Sequence, residues 1–166
     1  MDTVYIETSI ISHAAAWQSR DPAIAVLQAQ AKEWLAREAP KYKLVTSQFV
    51  IDEASMGDPD AAARRLALLS GVGVLLPNAQ VEGIAAAIIA RSLMPESARL
   101  DALHVASALV GGVQYLLTQN CRHIANAHVL PRMYDLFEEL ELPRLLICTP
   151  AEFLGGSVDE RESHPR

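Results

Sequence analysis

The stretch Val4-Tyr5-Ile6-Glu7-Thr8-Ser9 runs a short apolar strand directly into an acid and two hydroxyls. Four more short runs of strand character follow along the chain: Leu44 to Thr46, Val72 to Leu75, Tyr115 to Leu117 and Leu145 to Ile147. Between them lie longer segments of helical pattern, Pro22 to Glu38, Ser47 to Met56, Pro59 to Leu69, Ala79 to Ser92, Ala98 to Val110 and Pro131 to Leu140. Strands alternating with helices predict an α/β fold, a three-layer α/β/α arrangement around a central parallel sheet of four to five strands. Several helix ends are legible. Asp21-Pro22 and Asp58-Pro59 each set an N-cap acid before a proline at the first helical position, and Gly71 and Gly111 close the helices that precede them.

At 166 residues and 51% hydrophobic content the chain is long enough for one core and too short for two well-built domains. One domain is expected over residues 1–154. The segment 155–166 is polar, has nothing to pack, and reads as a flexible tail. The apolar stretches near 83–90 and 102–113 are broken by Gly or His and fall short of the roughly 18 to 20 residues of a bilayer span. A chain that opens on a strand, with no basic segment or cleavable apolar core before it, is expected to stay in the cytoplasm. Cys121 and Cys148 lack a C-x-x-C spacing and read as reduced thiols. A net charge of -6 is the wrong sign for gripping nucleic acid by charge alone. It is compatible with a metal-dependent nuclease, whose acids hold cations that reverse the local field.

Three acids sit where a folded core resists them: Glu7 at the end of the first strand, Glu53 on the apolar face of a helix, and Asp101 on an almost wholly apolar helix. Burying an ionised carboxylate costs several kcal/mol unless it is paired or ligates a metal. At about 100° per residue, Phe49, Val50, Glu53 and Met56 fall on one stripe, which turns Glu53 inward and leaves Asp52 outside. Between Leu100 and Ala108 apolar residues occur on every side, the pattern of a helix buried all round. Two of the acids also have an ordinary reading: Glu7 as the cap of a helix beginning at Thr8 or Ser9, and Asp101 as a helix-start acid that complements the macrodipole or caps the helix. Their order, ending at the strand Leu117-Thr118-Gln119-Asn120, can bring them together at the C-terminal edge of a parallel sheet, where such folds place their sites. A cluster of carboxylates without Cys or grouped His suits a hard ion, Mg²⁺ or Mn²⁺. His104, three residues after Asp101, reads as a buried, hydrogen-bonded imidazole. His13, His123 and His128 receive no role. Trp34 is expected to pack against Leu27 and Ala31 of its own helix, with Trp17 partly exposed near the edge of the site.

On these pieces the sequence resembles the PIN-domain family, specifically its VapC-like toxin ribonucleases. The matching segments are Tyr5-Ile6-Glu7-Thr8-Ser9, Glu53-Ala54-Ser55-Met56-Gly57, Asp101 to Ala108, Leu116 to Asn120, and the closing Cys148 to Leu154. Two departures stand out. Most of the family begins with Asp where this chain has Glu7, and Asn120 stands where the family supplies a fourth acid. An amide oxygen still ligates Mg²⁺ or holds a bound water, with one negative charge fewer.

The resemblance implies a metal-dependent endoribonuclease, the toxin of a toxin and antitoxin pair. Glu7, Glu53, Asp101 and Asn120 would hold the ion, with Thr8, Ser9 and Thr118 placing water or a phosphate oxygen. Arg99 and Arg122, close to Asp101 and Asn120, are the expected contacts to the RNA backbone; Arg64, Arg65 and Arg91 are further suppliers of positive charge. A homodimer and an antitoxin protein, the latter lying across the active-site groove, are the implied partners, and a partner surface is expected over Pro22 to Glu38 with Pro59 to Leu69. Two alternatives stay open: a catalytically weakened RNA-binding or regulatory module, and a hydrolase of another small phosphate ester on the same frame.

Overall fold

The computed structural model describes residues 1–155. Strands β1 (Thr3–Ile6), β2 (Lys43–Thr46), β3 (Gly73–Val74), β4 (Tyr115–Leu117) and β5 (Leu146–Cys148) form one parallel sheet in the order β3-β2-β1-β4-β5. Its helices are α1 (Thr8–Ala15), α2 (Pro22–Arg37), α3 (Gln48–Ala54), α4 (Pro59–Leu68), α5 (Gln80–Ala90), α6 (Arg99–Val110), α7 (Leu130–Glu139) and α8 (Pro150–Gly155). The α/β class and the parallel sheet are as the alternation of patterns predicts. Val4, Tyr5 and Ile6 are all fully buried. Because successive strand side chains point to opposite faces, a strand buried at three consecutive positions is covered by helices on both sides.

The chain builds outward from β1 to β2 and β3, then returns to the other side of β1 for β4 and β5. The order therefore reverses between β1 and β4, and an open α/β sheet carries its crevice at the C-terminal end of such a reversal. The register pairs Ile6 with Leu117, so Glu7 and Thr118 leave the sheet side by side. The backbone bond from Glu7 N–H to the Leu117 carbonyl, at 3.1 Å, continues the ladder one step past the strand.

Both acid-proline starts behave as caps. Asp21 accepts from the Ala23 N–H and Asp58 from the Ala61 N–H, each at 2.9 Å. Gly71 takes a left-handed φ of +81°, which glycine adopts without a Cβ penalty, and turns the chain from α4 into β3. Helix α6 is buried at every position from Ala102 to Leu109, as its apolar text requires.

Four details differ from expectation. The helix expected over Ser47 to Met56 ends at Ala54, and Met56 lies beyond it, 64% exposed and off the buried stripe. Gly57 follows with a positive φ, so the chain turns outward before the stripe completes a second turn. Trp34 reaches past its own helix, stacking on Tyr42 at 6.2 Å and meeting Phe153 edge-on at 5.6 Å. This aromatic cluster ties α8 to α2, and α8, not foreseen, takes in Gly155. The rest of the expected tail lies outside the described residues. No described helix is long and apolar enough to cross a membrane.

Both cysteines are unpaired, Cys148 buried and Cys121 exposed. Burial pushes the Cys148 thiol up to about 12, and a thiol rather than a thiolate is a poor nucleophile. A thiol reagent at neutral pH is thus expected to label one cysteine, Cys121, in the folded protein and both after denaturation. Peptide mapping of the labelled protein reads the outcome, and rapid labelling of Cys148 before unfolding contradicts it.

Candidate functional site

Glu7 leaves β1 with its backbone extended and becomes the N-cap of α1. It is 4% exposed. Three donors converge on its carboxylate: the Ser9 hydroxyl at 2.6 Å and the Thr118 hydroxyl at 2.5 Å on Oε1, and the Ser9 N–H at 2.9 Å on Oε2. Ser9 and Thr118 are themselves held. The Gln119 N–H donates to Ser9 Oγ at 2.7 Å, and the Asn120 N–H to Thr118 Oγ1 at 3.0 Å. Each hydroxyl thus gives its one hydrogen to Glu7 and receives a backbone N–H on its lone pair, a closed arrangement with no donor wasted.

Glu53 comes in from α3, its side chain 27% exposed, while Asp52 points outward and accepts from Gln48. Its Oε1 accepts from the Thr8 hydroxyl at 2.6 Å and from His104 Nε2 at 2.5 Å. His104 is fully buried, as expected of a structural imidazole, and its Nδ1 meets the Tyr5 hydroxyl at 3.0 Å, which meets Ser47 Oγ at 2.6 Å. Burial pushes the Tyr5 phenol far above its ordinary range, so it keeps its hydrogen. The bonds then run one way: Ser47 to Tyr5, Tyr5 to His104, His104 to Glu53. Burial works to raise the pKa of Glu53, but the hydrogen bonds from His104 and Thr8 outweigh it, and the carboxyl lies below the usual glutamate value.

Asp101 sits in the first turn of α6, one turn before His104. It does not cap the helix. Its Oδ2 meets His123 Nδ1 at 2.9 Å, and the His123 N–H donates to Asn120 Oδ1 at 3.0 Å. Asn120 therefore folds its side chain back over the turn that follows β4. A continuous set of bonds links Glu7 through Thr118, Asn120 and His123 to Asp101, and Glu53 joins at Thr8, next to Glu7 in the chain.

The seven candidate residues Glu7, Thr8, Ser9, Glu53, Asp101, Thr118 and Asn120 thus share one hydrogen-bonded edge of the sheet. The two arginines do not behave alike. Arg99 forms an ion pair with Glu82 on the surface, whereas Arg122 is exposed and has no ion pair among the described residues. Arg91 pairs with Glu139. Sequence reasoning missed Ser47, Gln119, His13 and His123. The last two had weak signals: His13 lies one helical turn from Ser9, and His123 lies three residues after Asn120, the spacing of an Asn side chain that closes a turn.

Among the described residues, no group of three or more His, Cys, Asp or Glu side chains is placed to hold a metal ion. Glu53 and Asp101 each commit one oxygen to the protein and leave the other without a partner and accessible, Oε2 and Oδ1 respectively; Glu7 Oε2 carries a single donor. Open carboxylate oxygens with no thiolate are the donor set of a hard divalent ion, so the residues fit one chemically.

The fold is that of the VapC and PIN-domain toxins. A chain of VapBC2 from Rickettsia felis, solved bound to a DNA fragment from its promoter, superposes with a TM-score of 0.55 at 14% identity, over 89% of this chain and 98% of that one. VapBC-1 from nontypeable Haemophilus influenzae gives 0.55 at 18% identity, over 90% and 98%. VapC20 of Mycobacterium tuberculosis, a toxin that cleaves the sarcin-ricin loop, gives 0.54 at 19% identity, over 75% and 95%. Neither a family model nor a curated relative matches the sequence itself.

Thr118→Val removes a hydroxyl that serves a buried carboxylate and leaves the Asn120 N–H without its acceptor. A loss of about 1–3 kcal/mol in urea-unfolding stability is expected, and an unchanged midpoint would exclude the network described. Glu53 gives a pH signature. Its folded value is lowered, so its contribution is complete above the ordinary glutamate range and is lost as pH falls through the folded value. In metal-free buffer the stability gap between wild type and Glu53→Gln should therefore narrow on acidification. A gap that is constant from neutral pH to pH 3 contradicts the assignment.

Proposed function

We propose that this protein is a divalent-metal-dependent endoribonuclease, the toxin component of a VapC-like toxin and antitoxin pair. The observation that supports the reading is that Glu7, Glu53 and Asp101 share the hydrogen-bonded sheet edge at the β1 and β4 reversal, with one oxygen of Glu53 and one of Asp101 open to a ligand, on a fold shared with VapC toxins.

In this reading Glu7, Glu53 and Asp101 would hold Mg²⁺ or Mn²⁺, with Asn120 in the chain position where the resemblance expects a fourth ligand. Such an ion would supply a water of lowered pKa and polarise a phosphate oxygen for hydrolysis of an RNA phosphodiester. The protein's own groups supply position. Thr118 and Ser9 hold Glu7 from one side, and Thr8 and His104 hold Glu53 from the other, so the open oxygens do not swing into the scaffold. Arg122 is the better placed of the two candidate arginines to meet a phosphate, since Arg99 is engaged by Glu82. In the same reading the protein would work in the cytoplasm, pair with a second copy and be restrained by an antitoxin protein.

The weakened-module alternative rests on one observation: Asn120 spends its amide oxygen on the His123 N–H, which leaves the ion three carboxylates. Cleavage of mixed single-stranded RNA decides between the two. With Mn²⁺ or Mg²⁺ the wild type is expected to cut, EDTA to stop it, and Asp101→Asn to lower the rate at least a hundredfold with the fold intact by circular dichroism. RNA binding without cleavage under both ions selects the module instead. Hydrolysis of a small phosphate ester with no action on RNA selects the third reading.

A further inference from the structure

Trp17 is 77% exposed, yet the backbone that carries it is fixed. Gln28 of α2, buried at 5% exposure, donates from Nε2 to the Trp17 carbonyl at 3.1 Å and accepts from the Ser19 N–H at 2.9 Å. Arg64 of α4 lies 4.7 Å over the indole and donates from Nε to the Ala15 carbonyl at 3.1 Å. Arg64 has no ion pair among the described residues, and neither does the exposed Arg20 three residues beyond the tryptophan. A large aromatic ring held in water, with one guanidinium on its face and a second arginine three residues on in the chain, has no part in the core. Stacking surface plus unpaired cations is the chemistry that takes an unpaired nucleobase and its phosphate.

The intervening helix leads from this platform to the acids. Ser9 at the start of α1 bonds Glu7, and His13, one turn further on the same face, bonds Gln119 Oε1 through Nδ1 at 2.7 Å. Gln119 donates its amide Nε2 to the Leu27 carbonyl at 2.8 Å, so its oxygen faces the imidazole and His13 Nδ1 carries the hydrogen. His13 Nε2 is left without a partner and accessible. Helix α1 rises about 12 Å between Glu7 and the platform.

We propose that Trp17 and Arg64 form a subsite for an unpaired nucleotide of the RNA strand, remote from the cleaved bond, with His13 Nε2 touching the strand between them. The proposal rests on the ribonuclease reading above. Trp34 is fully buried, so quenching of protein fluorescence by a single-stranded oligoribonucleotide reports on Trp17. In the cleavage-deficient Asp101→Asn background, single-stranded RNA is expected to quench the signal, and the same sequence as a duplex is not. Trp17→Ala should raise the Kd about five- to hundredfold, the ~1–3 kcal/mol of one stacked base, and Trp17→Phe should restore most of the affinity while abolishing the quench. In the otherwise wild-type enzyme Trp17→Ala should raise KM for the single strand with kcat held. Cleavage of RNA by wild type with Kd and KM unchanged in Trp17→Ala overturns the subsite alone. A wild-type protein that neither binds nor cuts RNA overturns the ribonuclease reading and the subsite with it.

Discussion

A carboxylate taken out of water at the reversal point of a parallel sheet is the constraint on which this structure turns. Glu7 is nearly inaccessible, and the energy of desolvating it is several kcal/mol unless donors replace the lost water. Those donors come from both sides of the reversal: Ser9 from the helix that follows β1, and Thr118 from the end of β4, 111 residues away along the chain. The strand register, the start of α1 and the turn after β4 are therefore coupled through one oxygen, Glu7 Oε1. Moving any of them leaves a buried acceptor short of a partner.

A second polar network sits beside it and is deeper. Tyr5 and His104 are both fully buried, and among the described residues their side chains hydrogen-bond only to each other, Ser47 and Glu53. A buried network of this kind stabilises only when complete, because low dielectric strengthens every satisfied bond and every omission alike. Here it locks α6 to β1 and to α3, and delivers Glu53 to the surface with one oxygen occupied and one open. The same principle governs Asp101, held by His123 at one oxygen. The open oxygens of the site are thus a by-product of how the acids are satisfied: Glu53 and Asp101 are each anchored by one oxygen and offer the other, while Glu7 is held by both.

Much of this was legible in one dimension. Apolar runs ending in acids or hydroxyls marked β1, β2 and β4, and the acid-proline pairs marked the starts of α2 and α4, because caps and strand ends depend on neighbours a few residues away. The inward turn of Glu53 against Asp52 followed from helical rotation alone. What was not legible was partnership across the fold. Periodicity carried Met56 onto the buried stripe, but the helix stopped two residues earlier and the chain turned away. Trp34 found Tyr42 and Phe153, residues that no local pattern connects to α2. His123 and Gln119, to which the sequence reading gave no role, became partners of Asp101 and His13 once β4 lay beside β1.

Sequence alone settled the alternation of strands and helices, the burial of α6 on every side, and the list of acids that a core must accommodate. These are local properties, set by residue type and by periods of two and 3.6. Only the tertiary structure decided which hydroxyl serves which acid, which carboxylate oxygens remain open, and that Arg99 is spent on Glu82 while Arg122 is not. Such choices depend on strand order and on contacts between residues far apart in the chain, and hydrogen-bond geometry over 3 Å is sensitive to shifts that no one-dimensional pattern records.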